Sequence, residues 1–524
     1  MGLRVSSPMT SGRPQRRAFS LAVIAASMFA WAAAGLLGAP SSGTAAATAA
    51  PAAQKAPACD AKCQAANGRH RDKRAALRRK NAQQKRPNMV LINTDDMNVT
   101  DLFVMRHTLS LLGAHGTTFR NSYVSYPLCC PSRATQLTGQ YAHNHGVLTD
   151  QRFTDLDSTN TLAVWLRRAK YRTAMVGKYL NGYGVVDPRQ VPPGWTQWNT
   201  LTGGTEQKRY GFKLNENGKV RNYPRKPANY IDYVLGSKVN GLLKAWAPSP
   251  KPFFLYYNPN NPHGEKGTPV WSTRDPEPAP QYLGRFGDIQ APRLPNFDEP
   301  NVSDKPDQIR AIPRLDDQQL ADIDRRYRGR LESLLSVDDE IKKIVSLVRK
   351  YGDKRKTFIF FTSDNGLEMG AHRIEFKDYL YDEGEHVPLI VRGPGVPQNT
   401  TRDQLVANID LAPTIAAIAK ARPGRVMDGI DLLPLTRDPG VENNRTLLFE
   451  SFDIGSFGLR QGPWSYNVYS DGEDELYNLD SDPYQLTNVA GNPGLASLRA
   501  SLRAELQRLR TCSGATCQVP TTAP

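Results

Sequence analysis

Asp95-Asp96 and Asp364-Asn365 are two pairs of hard oxygen donors in a chain of 524 residues. Adjacent carboxylates repel each other unless a cation neutralises them, and four such side chains suit Ca²⁺, with Mg²⁺ second. Zinc fits the set less well, because its usual clustering of His and Cys is missing from the pattern. A third feature is Cys129-Cys130-Pro131-Ser132-Arg133, followed by Leu137-Thr138-Gly139. The fixed φ of Pro131 suits a first helical position and Gly139 supplies a stop, which predicts a short helix with Cys129 beside its N-terminus. Free N–H groups and the positive end of the helix dipole favour an anion there, and Arg133 adds a guanidinium one turn on. A tetrahedral oxyanion would be held well at that place.

These groups can act together only if the fold gathers them. From Arg86 onward, apolar runs are each followed by a polar cluster, the pattern of parallel strands alternating with helices. Residues 89–92 lead into Asp95-Asp96, 172–176 into Gly177-Lys178, 253–257 into a stretch ending at His263, and 358–361 into Asp364-Asn365-Gly366. In open α/β sheets the ligand crevice lies beyond the carboxyl ends of the strands, which places Asp95, Asp96, Lys178, His263, Asp364 and Asn365 together. Residues 387–391 read as a further strand, 410–419 and 498–509 as helices, and 315–351 as one or two helices ending near Gly352. The proline-rich stretch 264–313 lacks periodicity and reads as a long surface excursion beside the crevice. A second region begins near residue 437, with a strand-like run at 446–449.

The formal charge of +16 is unevenly placed: residues 1–86 hold 15 Lys/Arg and 2 Asp/Glu, against 52 and 49 in the remainder. The body is thus nearly balanced, which argues against a nucleic-acid partner. Residues 1–39 read as an export signal in which Arg16-Arg17-Ala18-Phe19-Ser20-Leu21 is twin-arginine-like, implying a bacterial protein that is secreted or held in the cell envelope. No stable membrane insertion is expected after its removal. Residues 40–86 read as a flexible linker and basic segment, 87–436 as the main domain and 437–524 as a smaller one. Cys59 with Cys63 and Cys512 with Cys517 sit near the ends of the exported chain, where oxidation within each pair or between the ends is open. Asn98, Asn301, Asn399 and Asn444 lie in sequons that a bacterial route leaves bare.

Cys129-x-Pro131-Ser132-Arg133 with Leu137-Thr138-Gly139 resembles the signature of the sulfatase family. Further similar motifs are Thr94-Asp95-Asp96, Gly177-Lys178, Pro262-His263, Ser363-Asp364-Asn365-Gly366, Lys377 four residues before Tyr381, and 475–479 with Asp482-Pro483 and Asn488. The resemblance implies a large mixed, mostly parallel sheet flanked by helices, as in alkaline phosphatase, with a smaller C-terminal α+β domain carrying a short antiparallel sheet. It implies that a formylglycine-generating enzyme oxidises Cys129 to formylglycine, the catalytic aldehyde. Asp95, Asp96, Asp364, Asn365 and position 129 would hold the metal, Arg133, Lys178 and Lys377 would neutralise the sulfuryl oxygens, and His263 or Lys377 would protonate the leaving alcohol.

Within the family, Cys129–Arg133, His143-Asn144-His145, 177–181, 334–339 and 512–517 are most similar to the N-acetylglucosamine-6-sulfatases. That likeness implies a Cys512–Cys517 disulfide and a 6-O-sulfated N-acetylglucosamine or related sulfated glycan as substrate. Many members carry a histidine where this chain has Leu180, so another group must supply that contact; His143, His145, Asn181 and His372 are the candidates for binding substrate. Two other readings compete: an arylsulfatase or a phosphoester or phosphonate ester hydrolase built on the same crevice, and a non-catalytic sulfoglycan-binding protein with Cys129 unmodified.

Overall fold

The apolar runs that read as strands from the sequence pair into one ten-stranded sheet. In the computed structural model, which describes residues 86–266, 273–351, 356–441 and 443–518, its strands are β1 (Asn88–Thr94), β2 (Thr117–Phe119), β3 (Arg172–Gly177), β4 (Gln197–Leu201) and β5 (Phe212–Glu216). The others are β6 (Lys219–Tyr223), β7 (Phe253–Asn258), β8 (Thr357–Ser363), β9 (Leu389–Arg392) and β10 (Thr400–Arg402). Their spatial order is β10-β2-β9-β8-β1-β7-β3-β4-β5-β6. The centre, β8-β1-β7-β3-β4, is parallel, whereas β9 and β5 enter antiparallel. The leader, the basic segment, Cys59, Cys63 and Gly352 lie outside the described residues.

A central parallel strand is covered on both faces, which is why these runs are uniformly apolar rather than alternating. Along β1, Val90 and Ile92 enter one core with Leu255 and Tyr257 of β7 and Ile359 and Phe361 of β8. Met89 and Leu91 enter the opposite core with Phe254, Tyr256, Phe358 and Phe360. Helix α1 (Cys129–Thr138) and the later helix Leu411–Ala419 cover the second face, and helices Ile231–Trp246 and Asp317–Tyr351 cover the first. No helix among the described residues is long and apolar enough to cross a membrane.

Three details differ from the sequence reading, and one narrows it. Helix α1 opens at Cys129, so Pro131 is its third residue; the first turn's N–H groups lack intrahelical partners anyway, and the missing proton of proline costs nothing there. Within 315–351, which reads as one or two helices, Asp317–Tyr351 is one helix of 35 residues. The strand expected at 387–391 is β9, shifted toward Arg392 and antiparallel to β8. The stretch 264–313 is not wholly superficial, because Asn296, Glu299 and Lys305 are buried, the first two against His372 and the third on the Leu486 carbonyl.

The C-terminal region forms its own antiparallel sheet from Leu447–Ser451, Ser456–Gln461, Trp464–Tyr469 and Asp474–Asn478, backed by helix Ala496–Leu509. Its core includes Tyr141 and Ile409 from the larger layer, and Arg445 forms a buried ion pair with Asp410 across the same boundary. Cys512 and Cys517 are joined by a disulfide.

Candidate active site

Parallel pairing puts the carboxyl ends of β1, β3, β7 and β8 at one edge, and the polar residues that follow them meet there. Asp95 and Asp96 leave β1, Lys178 leaves β3, His263 follows β7, and Asp364-Asn365 follow β8. Helix α1 points its first turn at the same edge. Cys129 Sγ lies 3.6 Å from Asp95 Oδ1 and 3.9 Å from Asp96 Oδ1. Lys377 arrives from the segment after β8, its Nζ 2.9 Å from Cys129 Sγ and in contact with Asp96 Oδ1.

Backbone geometry holds these side chains in place. Gly177 has φ +112°, and a Cβ there would stand 1.8 Å from the Asn258 carbonyl, the same carbonyl that accepts the Lys178 N–H at 3.0 Å. Only glycine lets β3 end so close to β7. Asp96 itself has φ +66°, a conformation that Asp tolerates better than most residues; its N–H donates to Asp364 Oδ1 at 3.1 Å.

Three buried cations face three buried carboxylates. Arg133 Nε donates to Asp364 Oδ2 at 2.7 Å, its Nη2 lies 3.3 Å from Asp95 Oδ2, and its Nη1 donates to the Lys178 carbonyl at 3.0 Å. Lys178 Nζ sits 2.7 Å from Asp95 Oδ2. Burial would lift the Asp95 carboxyl, but Lys178, His263 and Arg133 outweigh it and hold it well below the ordinary carboxylate range. Asp96 is lowered in the same way, with Lys377 and His263 prevailing over burial. Asp364 goes the other way, because burial exceeds the pull of Arg133 and pushes it up to about 6. Burial also pushes His263 down to about 4, against the pull of Asp96 and Asp95. The Cys129 thiol is pushed up by burial, which makes an unmodified thiol a poor nucleophile here.

The donor set fits a divalent cation. Ligand atoms of Asp95, Asp96, Cys129 and His263 all lie within 4.8 Å of one another, and Asn365 Nδ2 donates to Asp96 Oδ1 at 2.7 Å. Asn365 Oδ1 is buried without a hydrogen-bond donor. An orphaned amide oxygen beside clustered carboxylates is what a hard cation would satisfy.

In front of these groups lies a cavity of about 1170 Å³ whose walls include Asn181, His263 and Lys377. The other three histidines named from the sequence are elsewhere. His143 spends Nδ1 on Glu450 at 2.7 Å and Nε2 on the Cys512 carbonyl at 2.9 Å, so it ties the C-terminal region to the main layer. His145 is buried between Thr135 Oγ1 and the Val147 N–H, and burial pushes it down to about 3. His372 is fully buried, its Nδ1 2.7 Å from Glu299 Oε2 and its ring 4.1 Å from that of Tyr381. None of the three is among the described cavity-lining residues.

Sequence reasoning missed one group on α1 and four that arrive from loops. Ser132 Oγ donates to the Asp364 carbonyl and accepts from Asn408 Nδ2 at 2.9 Å, tying α1 to the turn after β8. Asp150, Asp378, Asp453 and Glu206 line the cavity. Ser132 stands inside a conspicuous motif, whereas the loop residues follow no local pattern that could have singled them out.

Comparison with known proteins gives one consistent picture. A family model described as Sulfatase matches residues 87–421, and one described as N-sulphoglucosamine sulphohydrolase, C-terminal, matches residues 370–512. The N-acetylglucosamine-6-sulfatase of Homo sapiens is 33% identical over 493 residues, covering 83% of this chain and 86% of the relative. Among solved structures, BT4656 in complex with its substrate D-glucosamine-2-N,6-O-disulfate matches with a TM-score of 0.67 at 22% identity, covering 81% of this chain and 97% of that one. The phosphonate monoester hydrolase of Agrobacterium radiobacter matches with a TM-score of 0.64 at 21% identity, covering 81% and 95%.

Proposed function

Since the chain belongs to the sulfatase family, whose members hydrolyse sulfate esters, we propose that it is an exported enzyme that removes the 6-O-sulfate of N-acetylglucosamine or a closely related sulfated sugar. The proposal assigns Cys129, converted to formylglycine, as the nucleophile and Ca²⁺ as the metal. The observation that carries it is the placement of Cys129 Sγ on Lys377 Nζ at 2.9 Å and on Asp95 and Asp96. The extended likeness to the human enzyme supports the choice of sugar, and the twin-arginine-like leader supports export.

Asp95, Asp96, Asp364 and Asn365 would hold the cation, and conversion of the thiol would leave oxygen at position 129, matching a hard ion. A divalent cation there would supply a Lewis acid able to lower the pKa of a hydroxyl at position 129. Arg133 positions that arrangement, gripping Asp364 and Asp95 together with the backbone of Lys178. Lys178 and Lys377 neutralise charge on the sulfuryl oxygens, with no reorganisation at the moment of reaction because both are buried and already paired. Lys377, buried on Asp96 and reaching the cavity wall, is placed to hand a proton to the leaving alcohol. His263 reaches the same wall, but burial pushes it down to about 4 and its Nδ1–H is committed to the Gly264 carbonyl, so at neutral pH its Nε2 accepts a hydrogen bond rather than donating one.

A panel of position-defined sulfated monosaccharides tests the assignment: release from the 6-position is expected, and turnover confined to another position contradicts the sugar. Because a phosphonate hydrolase shares the fold, sulfate and phosphate monoesters of one leaving group should be compared. Faster phosphate turnover would assign the crevice to phosphorus instead.

A further inference from the structure

Asn98 commits both ends of its amide to the frame around the site. Its Oδ1 accepts from Arg330 Nη2 at 3.0 Å, and its Nδ2 donates to the carbonyls of Leu367 and Glu383, each at 3.0 Å. These partners fix which end of the amide points where, because a guanidinium only donates and a carbonyl only accepts. Asn98 is 9% exposed, and its backbone N–H is committed as well, to Asp101 Oδ2 at 3.2 Å. This sequon asparagine is an internal strut.

The strut joins three parts of the site. Asn98 follows Asp96 by two residues, and Leu367 follows Asn365 by two. The excursion that carries Lys377 leaves at Leu367 and returns at Glu383, so the two carbonyls held by Nδ2 are the two ends of that loop. Gly366 lets the ends meet: its N–H donates to the Gly384 carbonyl at 2.9 Å, and a Cβ there would stand 2.0 Å from the Glu383 carbonyl. Arg330 reaches the same corner from helix Asp317–Tyr351 and is 1% exposed. Besides Asn98, its Nη2 donates to the Asp96 carbonyl at 2.6 Å and to Asp101 Oδ2 at 2.8 Å, while its Nε and Nη1 are buried without an acceptor. Asp96 holds φ +66°, a conformation that persists only where the surroundings over-determine it, and the Arg330 bond to its carbonyl is one such constraint.

We propose that Asn98, braced by Arg330, is a positioning residue for the site: it keeps the turn after β1, the turn after β8 and the base of the Lys377 loop in register, so that the cation's ligands and Lys377 converge. Neither residue is among the described residues lining the cavity, so both act through the groups they hold. The inference rests on the Ca²⁺-dependent reading above. An aspartate at position 98 has the same shape and keeps the contact with Arg330, but its second oxygen would face two carbonyl oxygens to which it cannot donate. The loop ends would then separate, and the two turns with them.

The test competes the Ca²⁺ of the full-length matured protein against a chromophoric chelator, and measures kcat for one sulfate ester at saturating Ca²⁺. The proteins are wild type, Asn98→Asp, Asn98→Ala, Arg330→Met and Asp101→Asn. Both Asn98 variants and Arg330→Met are expected to weaken Ca²⁺ by about tenfold or more, the usual effect of losing a group that orients a metal ligand. In the Asn98 variants kcat should stay about tenfold low even with the cation site filled, because the loop that aims Lys377 is open at its base. Asp101→Asn disturbs the same corner but keeps an oxygen for Arg330 and leaves the Asn98 amide bonds intact; it should lower the melting temperature and hold Ca²⁺ affinity within about threefold of wild type. Asn98 variants that keep Ca²⁺ affinity within about threefold, or that regain full kcat when Ca²⁺ saturates, overturn the inference. So does an Asp101→Asn variant that weakens Ca²⁺ as much as they do. If Arg330→Met or Asn98→Asp does not fold, Asn98→Ala, which buries no charge, decides. A wild type that holds no Ca²⁺ overturns the metal assignment and the inference with it, whereas variants that bind like wild type leave that assignment standing.

Discussion

Replacing Arg133 by methionine removes one guanidinium that serves three groups. Asp364 Oδ2 loses the donor at 2.7 Å, Asp95 loses a cation at 3.3 Å, and the Lys178 carbonyl loses its donor at 3.0 Å. Arg133 is 1% exposed, so no water replaces the guanidinium. Breaking a buried ion pair from one side costs about 3–5 kcal/mol, because the partner carboxylate stays buried and uncompensated. With an unfolding entropy of about 2 cal/mol/K per residue over roughly 420 described residues, each kcal/mol corresponds to about 1 °C in melting temperature. The expected loss is therefore about 3–5 °C in EDTA, and less in Ca²⁺, which would neutralise the same carboxylates. Arg133→Lys keeps one charge but cannot fork to both carboxylates, so it should fall between the two. Activity toward a sulfate ester should drop by a factor on the order of a hundred or more in both variants. The assay is a melting scan at one fixed heating rate, with and without Ca²⁺, beside initial rates. A methionine variant that melts within about 1 °C of wild type in EDTA would refute the reasoning, since orphaned buried carboxylates cannot be that cheap.

Gly177→Ala should cost on the order of 3 kcal/mol and lower kcat/KM by roughly a hundredfold, since its Cβ would displace the strand end that aims Lys178; unchanged kinetics would show that β3 can yield there. Asp232, buried with Asn261 and Ser336, is pushed up from 3.8 to about 6 by burial. Protonation therefore favours the folded state: the stabilisation is full below pH 3.8 and is lost as pH rises through 6. Wild type should lose up to roughly 3 kcal/mol relative to Asp232→Asn over that window, and a melting gap independent of pH would contradict it. His143 is raised, because Glu450 and the Cys512 carbonyl outweigh burial. Its contribution is present below 6.5 and lost as pH rises through the raised value, so His143→Gln should lower the melting temperature more in mild acid than in alkali while leaving kcat/KM nearly unchanged. A large KM effect would place His143 at the substrate instead.

The parts of the site that sit on regular structure were legible in the sequence, and the parts on loops were not. Asp95, Lys178, His263 and Asp364 could be gathered from sequence because a doubly covered parallel strand is an unbroken apolar run and the residue that follows it is marked by contrast. The antiparallel entry of β9 was hidden, since a short apolar run carries no direction. Lys377 came only from its resemblance in spacing before Tyr381, because the segment that carries it has no periodicity. His143 and His145 were attractive as a pair of histidines near the signature, yet Glu450 and Thr135 claim them, and Glu450 lies 307 residues from its histidine, where no local pattern could announce it. Asp150 and Asp453 belong to the same class: ordinary loop aspartates until the chain turns them toward one cavity.

The mass of the peptide containing Cys129, taken from protein with measured activity toward a sulfate ester, tests the central claim most directly. Conversion of thiol to aldehyde predicts a loss of about 18 Da at that residue, in proportion to activity across preparations. An unmodified thiol at Cys129 in fully active protein would contradict the account.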